Sequence, residues 1–320
     1  MIRVEHNGGK RTLEKDYLKV FAGWNFSKKL TGLKRRNSPK ISFVTFPRFD
    51  AEKILTYSFS KLVGIYYQYL AWEEKHIPDV KERKKFRAKL ANIYKYSNKW
   101  DSKIAAFFSA PANGFVIHTC HYCDMAYINT YSIEKVVGKK RKTKTEINRQ
   151  YDLDHVLDKA KCPIIALSLY NFVPACTVCN ERIKGGKLIG GNKSEVLILS
   201  PTNPHFDFDK NVQISLDAVD GTAEFSNYLD NAWKYELEFY ATPPYDVFVL
   251  FFHLKERYNY HITEALRLRD LKDKYPDANI EMIAGLFHRT KEEVYEDIFG
   301  KDFTDKYHRC LSKLRRDILK

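Results

Sequence analysis

Cys120-His121-Tyr122-Cys123 and, further along, Asn171-Phe172-Val173-Pro174-Ala175-Cys176-Thr177-Val178-Cys179-Asn180 are the stretches on which the fold of this chain turns. Each holds a C-x-x-C turn, which aims two thiols at one point, and two such turns supply the four sulfurs of a tetrahedral zinc shell. A shell of that kind is closed, so its metal staples the fold rather than performing chemistry. The alternatives are a shell in which His118 or His121 replaces a thiol, and an accidental pairing of the two turns. Cys162 and Cys310 read as ordinary thiols.

Between the two turns runs Tyr151-Asp152-Leu153-Asp154-His155-Val156-Leu157-Asp158. Its alternation predicts a short strand ending in a carboxylate beside an imidazole. A lone histidine on a strand is ordinarily a core or surface residue. Here it lies between the halves of a metal site, with Asn171 before the second turn and Asn180 directly after it. Neighbouring residues of a strand point to opposite faces, so Asp154 and His155 share one site only if the strand end bends. The stretch closes with Cys179-Asn180-Glu181-Arg182-Ile183-Lys184-Gly185.

The order Cys-x-x-Cys, Asp-His, Asn, Cys-x-x-Cys-Asn, Lys-Gly resembles the HNH endonucleases, over roughly residues 117–190. The resemblance implies a small zinc-stapled ββα-metal core. Asn180 stands where many members carry a last histidine, which makes this an H-N-N variant, and a basic insertion at 138–149 lengthens the path to His155. Carried over by motif position, Asp154 binds a divalent metal and His155 activates water. Asn171 orients the loop and the histidine, and Asn180 completes the metal site with a carbonyl oxygen. Oxygen ligation of that kind suits Mg²⁺ or Mn²⁺. Lys184, one turn on, is expected to hold a phosphate of the cleaved strand. Hydrolysis of a phosphodiester needs water, a base and a cation, and a histidine titrates close to working pH.

The implied substrate is DNA. Tyr-Asp-Leu-Asp-His with Asn-Phe-Val-Pro-Ala-Cys is also similar to the HNH nucleases that accompany an ATPase in antiviral defence systems of the Septu and retron type. That likeness implies a bacterial defence role and an ATPase partner. Two other readings stay open: a non-catalytic zinc module that binds nucleic acid or protein, and an HNH effector that cleaves RNA.

Charge agrees with a polyanionic partner. The 320 residues include 54 Lys plus Arg against 40 Asp plus Glu, a net charge of +14. The excess is uneven. Residues 1–50 carry twelve basic and four acidic side chains, with a cluster at Lys34-Arg35-Arg36. A second run passes through Lys81, Arg83, Lys84, Lys85, Arg87 and Lys89. A third, Lys139-Lys140-Arg141-Lys142, lies between the two cysteine turns and is the candidate DNA-binding loop. The C-terminal end adds Lys313, Arg315 and Arg316, whereas residues 201–250 hold nine acidic and two basic side chains. These runs together predict a DNA-facing surface around one site.

With 44% hydrophobic and 14% aromatic residues the chain can bury a core, which excludes wholesale disorder. The N-terminus has no apolar segment of the secretory kind, and the longest apolar run, 247–252, is far too short for a bilayer. A cytoplasmic protein is expected, with no membrane and no small-molecule cofactor.

The expected class is α+β, with the small core flanked by mainly helical N- and C-terminal regions. Four segments are predicted: a basic, mainly helical 1–112; the core at 113–193; an acidic, hairpin-containing 194–243; and a helical 244–320. Phe59, Leu62, Val63, Tyr66, Tyr67 and Leu70 form an apolar helical stripe. Pro78 breaks it, and the helical pattern resumes from Val80 to Phe108. Pro111-Ala112-Asn113-Gly114 reads as a boundary turn. Alternation around Val212–Leu216, with Asp220-Gly221 as the turn, predicts a hairpin.

Overall fold

The computed structural model describes residues 1–5, 9–96, 98–137, 142–219, 232–300 and 309–320. The fold is mixed α+β: mostly helical, with three two-stranded antiparallel sheets. The chain divides into two compact units. One comprises Arg3–Ile117 and Ile128–Phe206, the other Met1–Ile2, His118–Tyr127 and Asp207–Lys320.

The first unit opens with α1 (Lys10–Lys19) and α2 (Phe26–Asn37), the latter capped by the Asn25 side chain on the Lys28 amide at 2.7 Å. Its central helix is α3 (Phe59–His76). The stripe residues Phe59, Leu62, Val63 and Tyr66 are buried, and so are Ile65, Tyr69 and Trp72, so α3 packs on more than one side. Pro78 ends the pattern. Asp79 then caps α4 (Val80–Ala91) by accepting from the Glu82 amide.

The helical stretch predicted to run to Phe108 is interrupted. α5 spans Asn98–Ser109, and between the two helices Ile93 and Tyr94 turn into the core, where Tyr94 stacks on Phe26. α4 is tied to α3 by Glu73, a buried carboxylate that accepts from Arg87 Nε at 2.8 Å and from the Tyr69 hydroxyl at 2.9 Å. Gly114, at the predicted boundary turn, takes a left-handed conformation with φ 65°.

Two hairpin pairings follow. β1 (Thr130–Val137) pairs with β2 (Lys142–Arg149), so the basic insertion includes the second strand of a ribbon. Residues 131–136 are exposed along its first strand. Lys139, Lys140 and Arg141 lie outside the described residues. Lys142 begins β2. β3 (Asp152–His155) pairs with β4 (Phe172–Ala175) in the register Asp154↔Val173 and His155↔Phe172. All four β4 residues are buried. Pro174 is accommodated because each strand of a two-stranded sheet has an edge that needs no donor. A π-helical segment, Val178–Lys184, and α6 (Lys193–Ile198) complete the unit.

The second unit contains α7 (Phe208–Asn211) and the predicted hairpin, β5 (Val212–Ala218) against β6 (Tyr235–Ala241). The expected turn at Asp220-Gly221 lies outside the described residues. Helices α8 (Tyr245–Phe251), α9 (Leu254–Asn259), α10 (Ile262–Lys274), α11 (Asp277–Phe287), α12 (Lys291–Phe299) and α13 (Ser312–Leu319) follow.

The C-terminal basic cluster departs from the expectation of a DNA-facing surface. Lys313 is buried and pairs with Asp317 at 2.8 Å. Arg316 donates to both oxygens of Asp209 at 2.8 Å, and Arg315 pairs with Glu264. Those cations are matched within the unit. No helix among the described residues is long and apolar enough to cross a membrane.

Candidate functional site

Both cysteine turns are set by backbone hydrogen bonds. In the first, the Cys120 amide donates to Ala126 O at 2.9 Å and the Asp124 amide to Cys120 O at 2.8 Å. Asp124 takes φ 56°, and its buried carboxylate accepts from the Thr119 hydroxyl at 2.7 Å. Tyr258 donates to Cys123 O at 2.8 Å, and Tyr122 stacks on Phe252. In the second, the Asn180 amide donates to Cys176 O at 3.0 Å as β4 gives way to the π-helical segment.

The Sγ atoms of Cys120, Cys123, Cys176 and Cys179 all lie within 4.8 Å of one another. Tetrahedral zinc with bonds of about 2.3 Å needs sulfurs roughly 3.8 Å apart, so the four thiols fit a closed structural zinc shell. Neither His118 nor His121 is a member of the group. Cys162 stands apart as a buried thiol whose pKa burial pushes well above its ordinary value.

Around β3, Asp154 and His155 are both buried and keep different company. The Asp154 carboxylate meets the Lys184 ammonium, 3.1 Å from each oxygen, and the same ammonium donates to His155 O at 2.8 Å. The imidazole of His155 packs edge-on against Tyr96, centroids 4.8 Å apart, and against Phe172 at 4.7 Å. Its Nε2 lies 2.9 Å from Ala166 O. A carbonyl can only accept, so Nε2 carries a proton. Burial, and then the positive charge of Lys159, push the pKa of His155 well below its ordinary value, so the ring is neutral. Nδ1 therefore presents a lone pair, 3.4 Å from Lys159 Nζ.

Asn171 works from inside the core. Its Oδ1 accepts from the Leu157 amide at 2.8 Å, its Nδ2 donates to Leu157 O at 3.1 Å, and its backbone carbonyl accepts from the Val156 amide at 3.0 Å. The two residues that follow His155 are thereby clamped. A further chain of contacts reaches Tyr96 from the base of the ribbon: Arg149 donates to Asp101 at 2.7 Å, and the Tyr96 hydroxyl donates to the same carboxylate.

No family model, curated protein or solved structure matches the chain.

Of the residues singled out in the sequence, Lys184 meets the Asp154 carboxylate and the backbone carbonyl of His155, the His155 imidazole turns to other partners, and Asn171 holds the loop beside them. Lys184 differs from the expectation of a phosphate ligand: it is 1% exposed, because the Asp154 carboxylate and the His155 carbonyl draw its ammonium inward. No hydrogen bond joins the Asn180 side chain to Asp154 among the described residues, and the Asn180 carbonyl accepts from the Gly185 amide at 2.7 Å.

Mg²⁺ and Mn²⁺ call for several oxygen ligands. Asp154 already has a cation against both oxygens, and the four cysteines are the one group of three or more His, Cys, Asp or Glu ligand atoms among the described residues. The arrangement does not fit a hard divalent ion at Asp154 and Asn180. Tyr96 and Lys159 escaped the sequence reading. Neither stands in a motif, and Tyr96 reaches His155 only through the tertiary fold.

Proposed function

We propose that the chain is an HNH-type endonuclease that hydrolyses phosphodiester bonds, with DNA as substrate and His155 as general base. The observation that carries this reading is the fixed tautomer of His155. Nε2–H is committed to Ala166 O, so Nδ1 is the nitrogen that takes the proton of a water, once the Lys159 ammonium that lies 3.4 Å from it has turned to the phosphate. As the water oxygen bonds to phosphorus, its proton passes to Nδ1, and the bond to the leaving oxygen breaks with that oxygen keeping the electron pair and taking a proton from solvent water. The Ala166 carbonyl then faces an imidazolium, whose charge strengthens that hydrogen bond. Asn171 holds the loop beside the ring, and Lys159 places positive charge near the reacting phosphate.

Further support comes from the β3–β4 hairpin leading through Cys176 and Cys179 into a helical turn that returns Lys184 to β3, an arrangement compatible with a zinc-stapled ββα core. No hydrolytic step is assigned to a Mg²⁺ or Mn²⁺ ion, which would have to take Asp154 from Lys184. The motif order also supports a narrower reading, in which the chain serves antiviral defence beside an ATPase partner.

One observation favours a second reading. The Lys184 ammonium on Asp154 is what a non-catalytic zinc module would use to neutralise a buried acid. A cleavage assay separates the two. Plasmid DNA and a matched RNA are incubated with wild type and His155→Ala, in chelator, Mg²⁺ and Mn²⁺. The nuclease reading expects cleavage of DNA by wild type and a loss of about 100-fold or more in the variant. Cutting of RNA alone would change the substrate. Absence of cutting in every condition, with the ATPase partner supplied, would leave the zinc module, and a variant that cuts as well as wild type would remove His155 as the base.

A further inference from the structure

Lys89, the last cation of the second basic run, joins three cations of α2 in one groove. The lining of this groove, about 590 Å³, includes Lys28, Lys29 and Arg36 of α2 and Lys89 of α4. From its cap Asn25, Lys28, Lys29, Gly32 and Arg36 of α2 follow the i+3, i+4, i+7 and i+11 spacing of one helical face, beside the face that buries Phe26, Leu30 and Leu33. Gly32 carries no side chain at the middle of that face. A Cβ there would lie 3.3 Å from Arg36 Nη1, so glycine leaves the guanidinium room along the wall. Lys89 Nζ donates to Asn37 Oδ1 at 2.9 Å, which brings α4 to the end of α2.

The charge of this groove is unmatched. None of the four cations forms an ion pair among the described residues, and no acid lines the walls. Elsewhere on α4, Arg87 is paired with Glu73 and Lys85 with Glu82. Lys28 and Lys29 stand in the first turn of α2, whose amino end is already met by the Glu52 carboxylate, which accepts from the Ser27 amide at 2.8 Å without forming an ion pair with either lysine. An external polyanion supplies the opposite charge that the four cations lack. The remaining lining is polar, with Asn25 and Asn92, and Lys29 Nζ lies 4.1 Å from the centre of the Trp24 ring. A concave, polar channel suits a narrow phosphate chain better than a flat lipid surface.

We infer that the α2–α4 groove is a nucleic-acid backbone site, in which Lys28, Lys29, Arg36 and Lys89 hold successive phosphates without reading bases. The inference rests on the nucleic-acid reading of the β3 site, but not on catalysis there. Each phosphate held adds about −0.9 to the slope of log affinity against log salt on B-form DNA.

The test is fluorescence anisotropy with labelled duplex and single-stranded oligonucleotides of two unrelated sequences, over a salt series. The test variant is Lys28→Gln/Lys29→Gln/Arg36→Gln. The control removes three exposed lysines outside the groove, Lys53→Gln/Lys75→Gln/Lys193→Gln, and both are checked for unchanged melting. The site predicts at least a tenfold loss for the groove variant on both sequences, with the slope shallower by roughly 2 to 3, and a change under threefold for the control. Equal losses in the two variants, or none in either, overturn the groove. Binding lost only toward anionic phosphatidylserine vesicles or poly-glutamate overturns nucleic acid as its ligand. Wild type that binds through the groove yet never cuts leaves the groove standing and removes the nuclease. Wild type that cuts while the groove variant binds unchanged does the reverse.

Discussion

The ammonium of Lys184 lies 3.1 Å from both carboxylate oxygens of Asp154, with the two side chains 1% and 4% exposed. Breaking one half of such a pair leaves a charge in the interior. Lys184→Met should cost about 3 kcal/mol or more. Lys184→Met/Asp154→Asn should cost clearly less than the sum of the two single changes. Denaturant unfolding of all four proteins gives the coupling, and additive costs would show the contact to be incidental.

Metal removal should act on the fold before it acts on chemistry. Elemental analysis is expected to find one zinc per chain. Cys120→Ser and Cys176→Ser should each lose it and melt lower, by roughly 5–10 °C if the metal contributes about 3 kcal/mol. His155→Ala should keep both zinc and melting temperature. Full zinc in either serine variant would break the four-sulfur assignment.

Asn171→Ala removes the side-chain bonds to both backbone groups of Leu157. Their loss inside the core should cost about 2 to 4 kcal/mol. The Leu157 amide should exchange with deuterium at least tenfold faster than in wild type. Protection unchanged at that amide would mean the loop is held by other contacts.

Arg315→Gln/Arg316→Gln probes charges already matched by Glu264 and Asp209. Melting temperature should fall, while affinity for an oligonucleotide stays within twofold. A large loss of affinity at unchanged stability would return the C-terminal cations to the binding surface.

Much of the site was legible in the sequence because its parts are local. A C-x-x-C turn announces itself in four residues, and the alternation around Asp154 and His155 forecast β3. The partners of those residues were not legible. Lys184 reads as a surface residue until a π-helical turn and a buried carboxylate draw it in. Tyr96 and Lys159 reach His155 through packing, which no spacing encodes. Charge runs were the least reliable guide. Lys28, Lys29 and Arg36 share one groove with Lys89 alone of the 81–89 run, whereas Arg315 and Arg316 look alike in sequence and are neutralised by acids that only folding brings near. The helical pattern from Val80 to Phe108 missed the break because Ile93 and Tyr94 suit a helix as well as the buried turn they occupy.

The π winding of Val178–Lys184, with the Gly185 amide bonded five residues back to Asn180, has a consequence for how this chain can vary. In an α-helix, positions five apart diverge by about 140° around the axis. The wider winding brings Cys179 and Lys184 closer to a common side, so a thiol of the zinc cluster and the cation on Asp154 share one phase. A one-residue deletion between them would let the segment relax to ordinary winding and swing the lysine away from β3. Substitutions there should be tolerated far better than changes of length.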